Sequence, residues 1–275
     1  MPAARPVALV VLALALAVVF VSFVPPGPAI AQDCVDYGDH LRWLANVAVP
    51  GQLMALVPDG DVLLVASRTQ DWSGDQLLAL DVSTPAAPVV LDTLELPDPP
   101  VAMTRQGDVL YVGCGSAGGA LVLVDASDPT DLQLLGTVGM YAVTDVLVEG
   151  GLAYFTNGYS PTFIADVSDP TAPELLSWTS TGGIGAGVGL HGDALYVADA
   201  SAGLVVVDVS DPTAPVIVTT LPTAGEASDV AVIGDQAYVS LGEAGVRVYD
   251  VSDPWQPMAG ASVPTNHLAR RIRVV

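Results

Sequence analysis

The chain contains no lysine. All of its side-chain positive charge rests on eight arginines, set against 30 acidic residues, and the formal charge is −22 over 275 residues. That balance excludes partners held by cationic contacts, namely nucleic acid and anionic lipid. It suits solubility and leaves only weak Ca²⁺ binding open. Aromatics are scarce, at 6%, so aliphatic and β-branched side chains must fill most of a core. The two cysteines, Cys34 and Cys114, have no histidine nearby, which argues against zinc. His40, His191 and His267 share no metal-ligand spacing, and no G-x-S-x-G elbow offers a nucleophile. Beyond residue 31 no stretch carries a helical apolar period. The sequence therefore assigns no catalytic residue, no cofactor and no metal.

What is present begins with a leader. Arg5 precedes an apolar run from Val7 to Val24, and Ala29-Ile-Ala31 supplies small residues before Gln32. That layout reads as a signal peptide over residues 1–31, with an uncleaved anchor as the alternative. It implies a secreted, periplasmic or cell-surface protein, with no membrane contact after cleavage. A Cys34–Cys114 disulfide is chemically available in such a compartment. Cys34 falls in a short lead-in, residues 32–40, and Cys114 at the end of a strand, so the geometry disfavours it.

The remainder, residues 41–275, is built on one phrase, Asp208-Val-Ser-Asp-Pro-Thr-Ala-Pro215. Its first aspartate recurs as Asp81, Asp125, Asp166, Asp208 and Asp250, at intervals of 44, 41, 42 and 42 residues. Repetition at that period marks a stacked or circular repeat protein. Within one repeat, Asp229 to Ile233 and Ala237 to Ser240 read as strands joined by a tight turn at Gly234-Asp235. Val246 to Asp250 reads as a third strand, ended by Ser252-Asp253-Pro254 because proline cannot donate to a ladder. A fourth strand shows best as Val216 to Leu221. The turn glycine recurs as Gly60, Gly107, Gly150, Gly192 and Gly234, and four residues after each stands Leu64, Tyr111, Tyr154, Tyr196 or Tyr238. Four short antiparallel strands per repeat define an all-β fold, a β-propeller of five full blades and an incomplete sixth.

Leu121-Val-Leu-Val-Asp125 and Leu204-Val-Val-Val-Asp208 resemble the name pattern of the LVIVD-repeat family. The resemblance spans roughly residues 41–275. It implies a propeller displayed on or secreted by bacterial or archaeal cells, and it carries over no catalytic residue.

The ends leave the wheel incomplete. Leu41 to Val49 reads as an isolated fourth strand, and Ile272 to Val275 matches a first strand. The expectation is a sixth blade whose second and third strands come from a longer chain, the sequence being truncated at its C-terminus.

Two stretches match G-x-G-x-x-G, Gly113 to Gly118 and Gly187 to Gly192. Nucleotide binding needs a helix after the glycines, and strands follow both. The phrase aspartates offer oxygen ligands for calcium. With proline fixing each turn and no EF-hand-like run, they read instead as structural turn residues, like the turn glycines. Ligand recognition is expected on the face made by the loops between second and third strands and between fourth and first strands, since repeat proteins vary where they bind. Candidate residues there are Arg68, Trp72, Tyr141, Tyr159, Asp199, Glu226 and Glu243, with Arg68 and Trp72 in the longest loop. Asp145, Asp229 and Arg271 occupy equivalent places at the start of innermost strands, as candidates to line a central channel. The functional expectation is a non-catalytic binding module for a surface protein or glycan. The alternatives are a hydrolase or lyase acting at the channel mouth and a structural spacer.

Overall fold

The computed structural model describes residues 45–69, 74–115, 118–139, 142–159, 161–265 and 267–272. These form five four-stranded antiparallel sheets, each a blade. Blade one is β1 (Gln52–Asp59), β2 (Val62–Arg68), β3 (Gln76–Asp81) and β4 (Val89–Glu95). Blade two is β5 (Pro100–Gln106), β6 (Val109–Cys114), β7 (Leu121–Asp125) and β8 (Gln133–Val138). Blade three comprises β9 (Asp145–Glu149), β10 (Leu152–Thr156), β11 (Pro161–Asp166) and β12 (Glu174–Ser180). Blade four comprises β13 (Gly187–His191), β14 (Ala194–Asp199), β15 (Gly203–Asp208) and β16 (Val216–Leu221). Blade five comprises β17 (Asp229–Ile233), β18 (Gln236–Ser240), β19 (Val246–Asp250) and β20 (Met258–Val263). No helix occurs among the described residues. Of the two G-x-G-x-x-G stretches, Gly113 and Cys114 end β6 and Gly187–His191 is itself a strand.

Every blade runs in simple sequence order from its innermost to its outermost strand. Two-residue turns join the first and second strands, as between Ile233 and Gln236. The leading glycine has φ of 56°, 58°, 61°, 57° and 52° in successive blades. An added Cβ would meet nothing there, so the left-handed backbone, and not crowding, requires glycine.

The apolar runs follow from blades packing face to face. In β15, Leu204 and Val206 join Tyr196 in a cluster shared with Val230, Val239 and Tyr249 of blade five. Val205 and Val207, pointing the other way, pack with Tyr154 and Ile164 of blade three. Both faces are covered, so the strand reads as continuous hydrophobe and not as alternation. The repeated tyrosines Tyr111, Tyr154 and Tyr196 each face the following blade. Burying one apolar side chain of these strands, such as Leu204 or Val206, contributes about 1.5–3 kcal/mol.

The phrase after each third strand folds into local Asx turns. The Ser83, Ser127, Ser168, Ser210 and Ser252 amides donate to Asp81, Asp125, Asp166, Asp208 and Asp250 at 2.8–2.9 Å. A second such turn follows in four phrases, with Thr130 on Asp128, Thr171 on Asp169, Thr213 on Asp211 and Trp255 on Asp253. The same loops lock neighbouring blades. Leu132 N donates to Asp92 Oδ2 at 2.7 Å, Ser177 Oγ to the Pro212 carbonyl at 2.5 Å, and Tyr196 OH to the Pro254 carbonyl at 2.9 Å. Each bond runs from one blade to the phrase of the next.

Outermost strands carry exposed apolar residues such as Val89, Leu134, Trp178, Val216 and Met258. A register shift interrupts every third-to-fourth strand pairing, for example between Val206 and Val207. Such bulges twist an edge and blunt its tendency to pair with another chain.

Innermost strands pack in order, β1 on β5, β5 on β9, β9 on β13 and β13 on β17. β17 does not pack on β1 in the same way, and the wheel of five sheets stays open there. Two segments flank the opening. Val47 and Val49 are buried on the face of blade one turned away from blade two, against Val65, Leu78 and Leu80. Residues 45–49 carry a single bridge at Asn46 and no strand, whereas the sequence suggested a strand. At the other side, residues 267–272 lie along blade five. Ala269 bridges Gly242 as Ala227 bridges Ala200. The segment thus starts the next innermost strand; of Ile272 to Val275, only Ile272 falls within the described residues.

Candidate functional site: the axial mouth

A repeat of 42 residues places equivalent side chains on a ring, and three such rings wall one cavity. The innermost ring runs Asp145, Gly187, Asp229 and Arg271. The next runs Thr144, Ala186, Ser228 and Arg270, with Val101 as its counterpart in blade two. The rim runs Ile184, Glu226 and Leu268. All of these except Gly187 line a cavity of about 500 Å³ at the axis. The strands and turns fix the positions, while the residue types change from blade to blade.

The two aspartates have structural duties there. Asp145 Oδ2 accepts the Val188 amide at 3.0 Å, and Asp229 Oδ2 accepts the Ile272 amide at 2.7 Å. Each carboxylate therefore ties its own innermost strand to the next. Gly187 takes the same place in blade four, where a Cβ would come within 2.5 Å of Asp229 Oδ1 and 2.8 Å of its Cα. A hydroxyl pair reinforces the joint. Thr144 Oγ1 lies 2.9 Å from Thr156 Oγ1 and donates to the Gly185 carbonyl at 3.1 Å. Ser228 Oγ repeats this with Ser240 Oγ at 3.0 Å and the Ala269 carbonyl at 3.1 Å. Residues 268–272 are thus docked by the bonds that dock blade four on blade three.

Arg271 Nη2 reaches the Val101 carbonyl of blade two at 3.5 Å, across the cavity. Arg270 and Glu226 are exposed. Ile184 and Leu268 expose 54% and 50% of their surface, an apolar pair flanking Glu226 on the rim.

The residues named from sequence distribute unevenly. Asp145, Asp229, Arg271 and Glu226 come together in the cavity. Tyr159 is exposed next to Gly158, and Glu243 next to Gly242, two glycines of the cavity wall. Arg68 is half-buried at the end of β2. Trp72 and Tyr141 lie outside the described residues, as do the leader, the lead-in and Cys34.

Asp199 is the exception to the exposed face. It is wholly buried at the end of β14, where its Oδ2 accepts the Gly183 amide at 3.1 Å. Its Oδ1 has no hydrogen-bond partner among the described residues. Gly183 lies too close to that carboxylate to carry a side chain. Asp199 therefore anchors the loop that holds Ile184 on the rim, and is closed to an external ligand.

Sequence reasoning missed Ile184, Leu268, Arg270, Thr144 and Ser228. Stepping by 42 residues from Glu226 would have found Ile184 and Leu268, and Thr144, Ser228 and Arg270 each immediately precede Asp145, Asp229 and Arg271 in the chain.

Cys114 is buried between blades one and two, and its thiol forms no disulfide among the described residues. Burial, with the charges of Asp98 and Asp75 adding to it, pushes that thiol up to about 12. Among the described residues no cluster of three or more His, Cys, Asp or Glu could hold a metal ion.

Five four-stranded blades packed around an axial cavity define a β-propeller. The LVIVD repeat matches residues 106–139, 142–181, 182–223 and 224–265, and the chain belongs to that repeat family. No curated protein matches it. Among solved structures, it is similar to a chain of the mitotic checkpoint complex, with a TM-score of 0.64 and 13% identity over 80% of this chain and 67% of that one. It is similar to the computationally designed Ika8 protein, with a TM-score of 0.63 and 11% identity over 79% of this chain and 64% of that one. The β-propeller domain of Cps50 (Swd1) from Myceliophteria thermophila gives 0.55 and 14% identity over 78% of this chain and 76% of that one. The chain thus spans about two thirds of the first two. At these identities the likeness concerns the fold alone.

Proposed function

We propose that the protein is an exported β-propeller acting as a non-catalytic binding module, with its ligand at the axial mouth. One observation carries the reading: ring positions that the repeat makes equivalent differ in chemistry around a cavity of about 500 Å³. A scaffold that repeats while its mouth varies is the arrangement of a binding surface, and the size lies within the usual range for ligand pockets. The apolar leader supports export, and the charge of −22 turns nucleic acid away. A protein or glycan outside the cell is the partner class that fits both.

The test is array binding. The secreted protein and its Glu226→Gln/Arg270→Gln variant are applied to peptide and glycan arrays, after equal melting curves establish that both are folded. Ligands bound by the parent and lost by the variant support the reading. Binding indifferent to both substitutions would place the ligand away from the mouth, and no binding at all would leave a structural spacer. Cell fractionation tests export, with the mature chain expected outside the inner membrane.

A further inference from the structure

We propose that the axial mouth takes a short extended peptide bearing an aliphatic side chain between a basic and an acidic residue. This deepens the binding reading above and rests on it. The mouth presents charges of both signs: Glu226 stands on the rim of blade five, and Arg270 and Arg271 come from the docked segment, all lining one cavity. A ligand carrying a single sign of charge would meet repulsion from one side of the site. A ligand carrying both signs matches both sides.

The walls between those charges are aliphatic. Val101, Ile184 and Leu268 line the cavity, and no aromatic ring is among its lining residues within the described part of the chain. Sugars pack their flat faces best on aromatic rings, so this lining favours a branched aliphatic side chain over a glycan. Half-exposed Ile184 and Leu268 lose their remaining water contact when such a group enters, which favours its burial.

Peptide binding is coupled to the docked segment, which supplies Leu268, Arg270 and Arg271. Ligand contact with these residues favours the state in which Ile272 is bonded to Asp229 and Ala269 to Ser228. The peptide and the segment therefore stabilise each other.

Fluorescein-labelled peptides containing Lys-Leu-Val-Asp or Asp-Val-Leu-Lys are titrated with the full secreted protein by fluorescence anisotropy. Gln-Leu-Val-Asn is the uncharged control, and a neutral hexasaccharide the glycan control. At least one charged peptide is expected to bind tenfold or more tightly than the uncharged control. Glu226→Gln and Arg270→Gln, both at exposed positions, should each weaken it threefold or more with unchanged melting. Equal binding of charged and uncharged peptides, or binding of the hexasaccharide alone with loss in the variants, would overturn the peptide assignment and leave the mouth as the site. Failure of every probe, or binding untouched by either substitution, would overturn both.

Discussion

Asp145 in blade three accepts the backbone amide of Val188 in blade four at 3.0 Å, joining two innermost strands 43 residues apart. Asp229 makes the same bond to Ile272, also 43 residues on. Hydrogen bonds to a carboxylate contribute about 1.5–3 kcal/mol where they are shielded from water. Asp145→Ala should therefore lower the unfolding free energy by roughly that amount, measured by urea denaturation. Asp229→Ala should act more locally, by raising hydrogen exchange at residues 269–272 and leaving blades one to three unchanged. Uniform exchange across the chain in Asp229→Ala would contradict the joint.

Tyr196 and Tyr238 occupy the same place in successive blades, yet their hydroxyls go to different partners. Tyr196 donates to the Pro254 carbonyl of the next blade, whereas Tyr238 donates to Gln236 on its own strand. Tyr196→Phe should cost about 1 kcal/mol, because it leaves a carbonyl unpaired between blades. Tyr238→Phe should cost much less. Burial raises the Tyr196 phenol to about 12, so its ionisation by ultraviolet titration should come late, near the onset of alkaline unfolding.

Two glycines separate conformation from crowding. Gly192 has φ of 57° with open space around it, and alanine there meets only the left-handed penalty, about 1–2 kcal/mol. Gly187 has an ordinary backbone but faces Asp229 at 2.5 Å from a built Cβ. Alanine there must push blades four and five apart, and it should also weaken docking of residues 269–272. Equal hydrogen exchange of that segment in the two variants would contradict the distinction.

The phrase aspartates contribute to the acid sensitivity of the fold. Hydrogen bonds from a hydroxyl and then an amide two residues on hold Asp81, Asp125, Asp128, Asp166, Asp169 and Asp211 below the ordinary carboxylate value. At Asp208 and Asp250 the amide is the larger cause. A lowered folded-state pKa gives stability that is complete above the unfolded value, about 3.9, and disappears as pH falls through the folded values. The melting temperature should change little through these groups between pH 7 and pH 5, then decline below about pH 4. A melt that holds its value to pH 2.5 would contradict this.

Cys114, with its thiol pushed up to about 12 inside an interface, should react with a thiol reagent only on unfolding. Rapid reaction in the folded protein would place the thiol elsewhere.

The scaffold was legible because its signals are local. Asp208, Ser210 and Pro212 write a turn into adjacent residues, and the run Leu204 to Val207 declares a strand covered on both faces. The mouth was legible only in part. Asp145, Asp229 and Arg271 could be aligned through the period, but nothing next to Asp145 in the chain announces Val188 as its partner. Asp199 shows the limit most clearly. From sequence it is a polar residue at a loop; in the fold, the missing side chain of Gly183 lets that loop close over it.

The most direct test of the axial mouth as the binding site is a methyl NMR titration of the folded protein with its tightest array ligand. Methyl signals of Ile184, Leu268 and Val101 should move with ligand, while those of Val89, Leu134 and Val218 on the outer strands stay in place. Movement confined to the outer strands, with Ile184 and Leu268 unchanged, would place binding on the outer edge of the wheel and contradict the site.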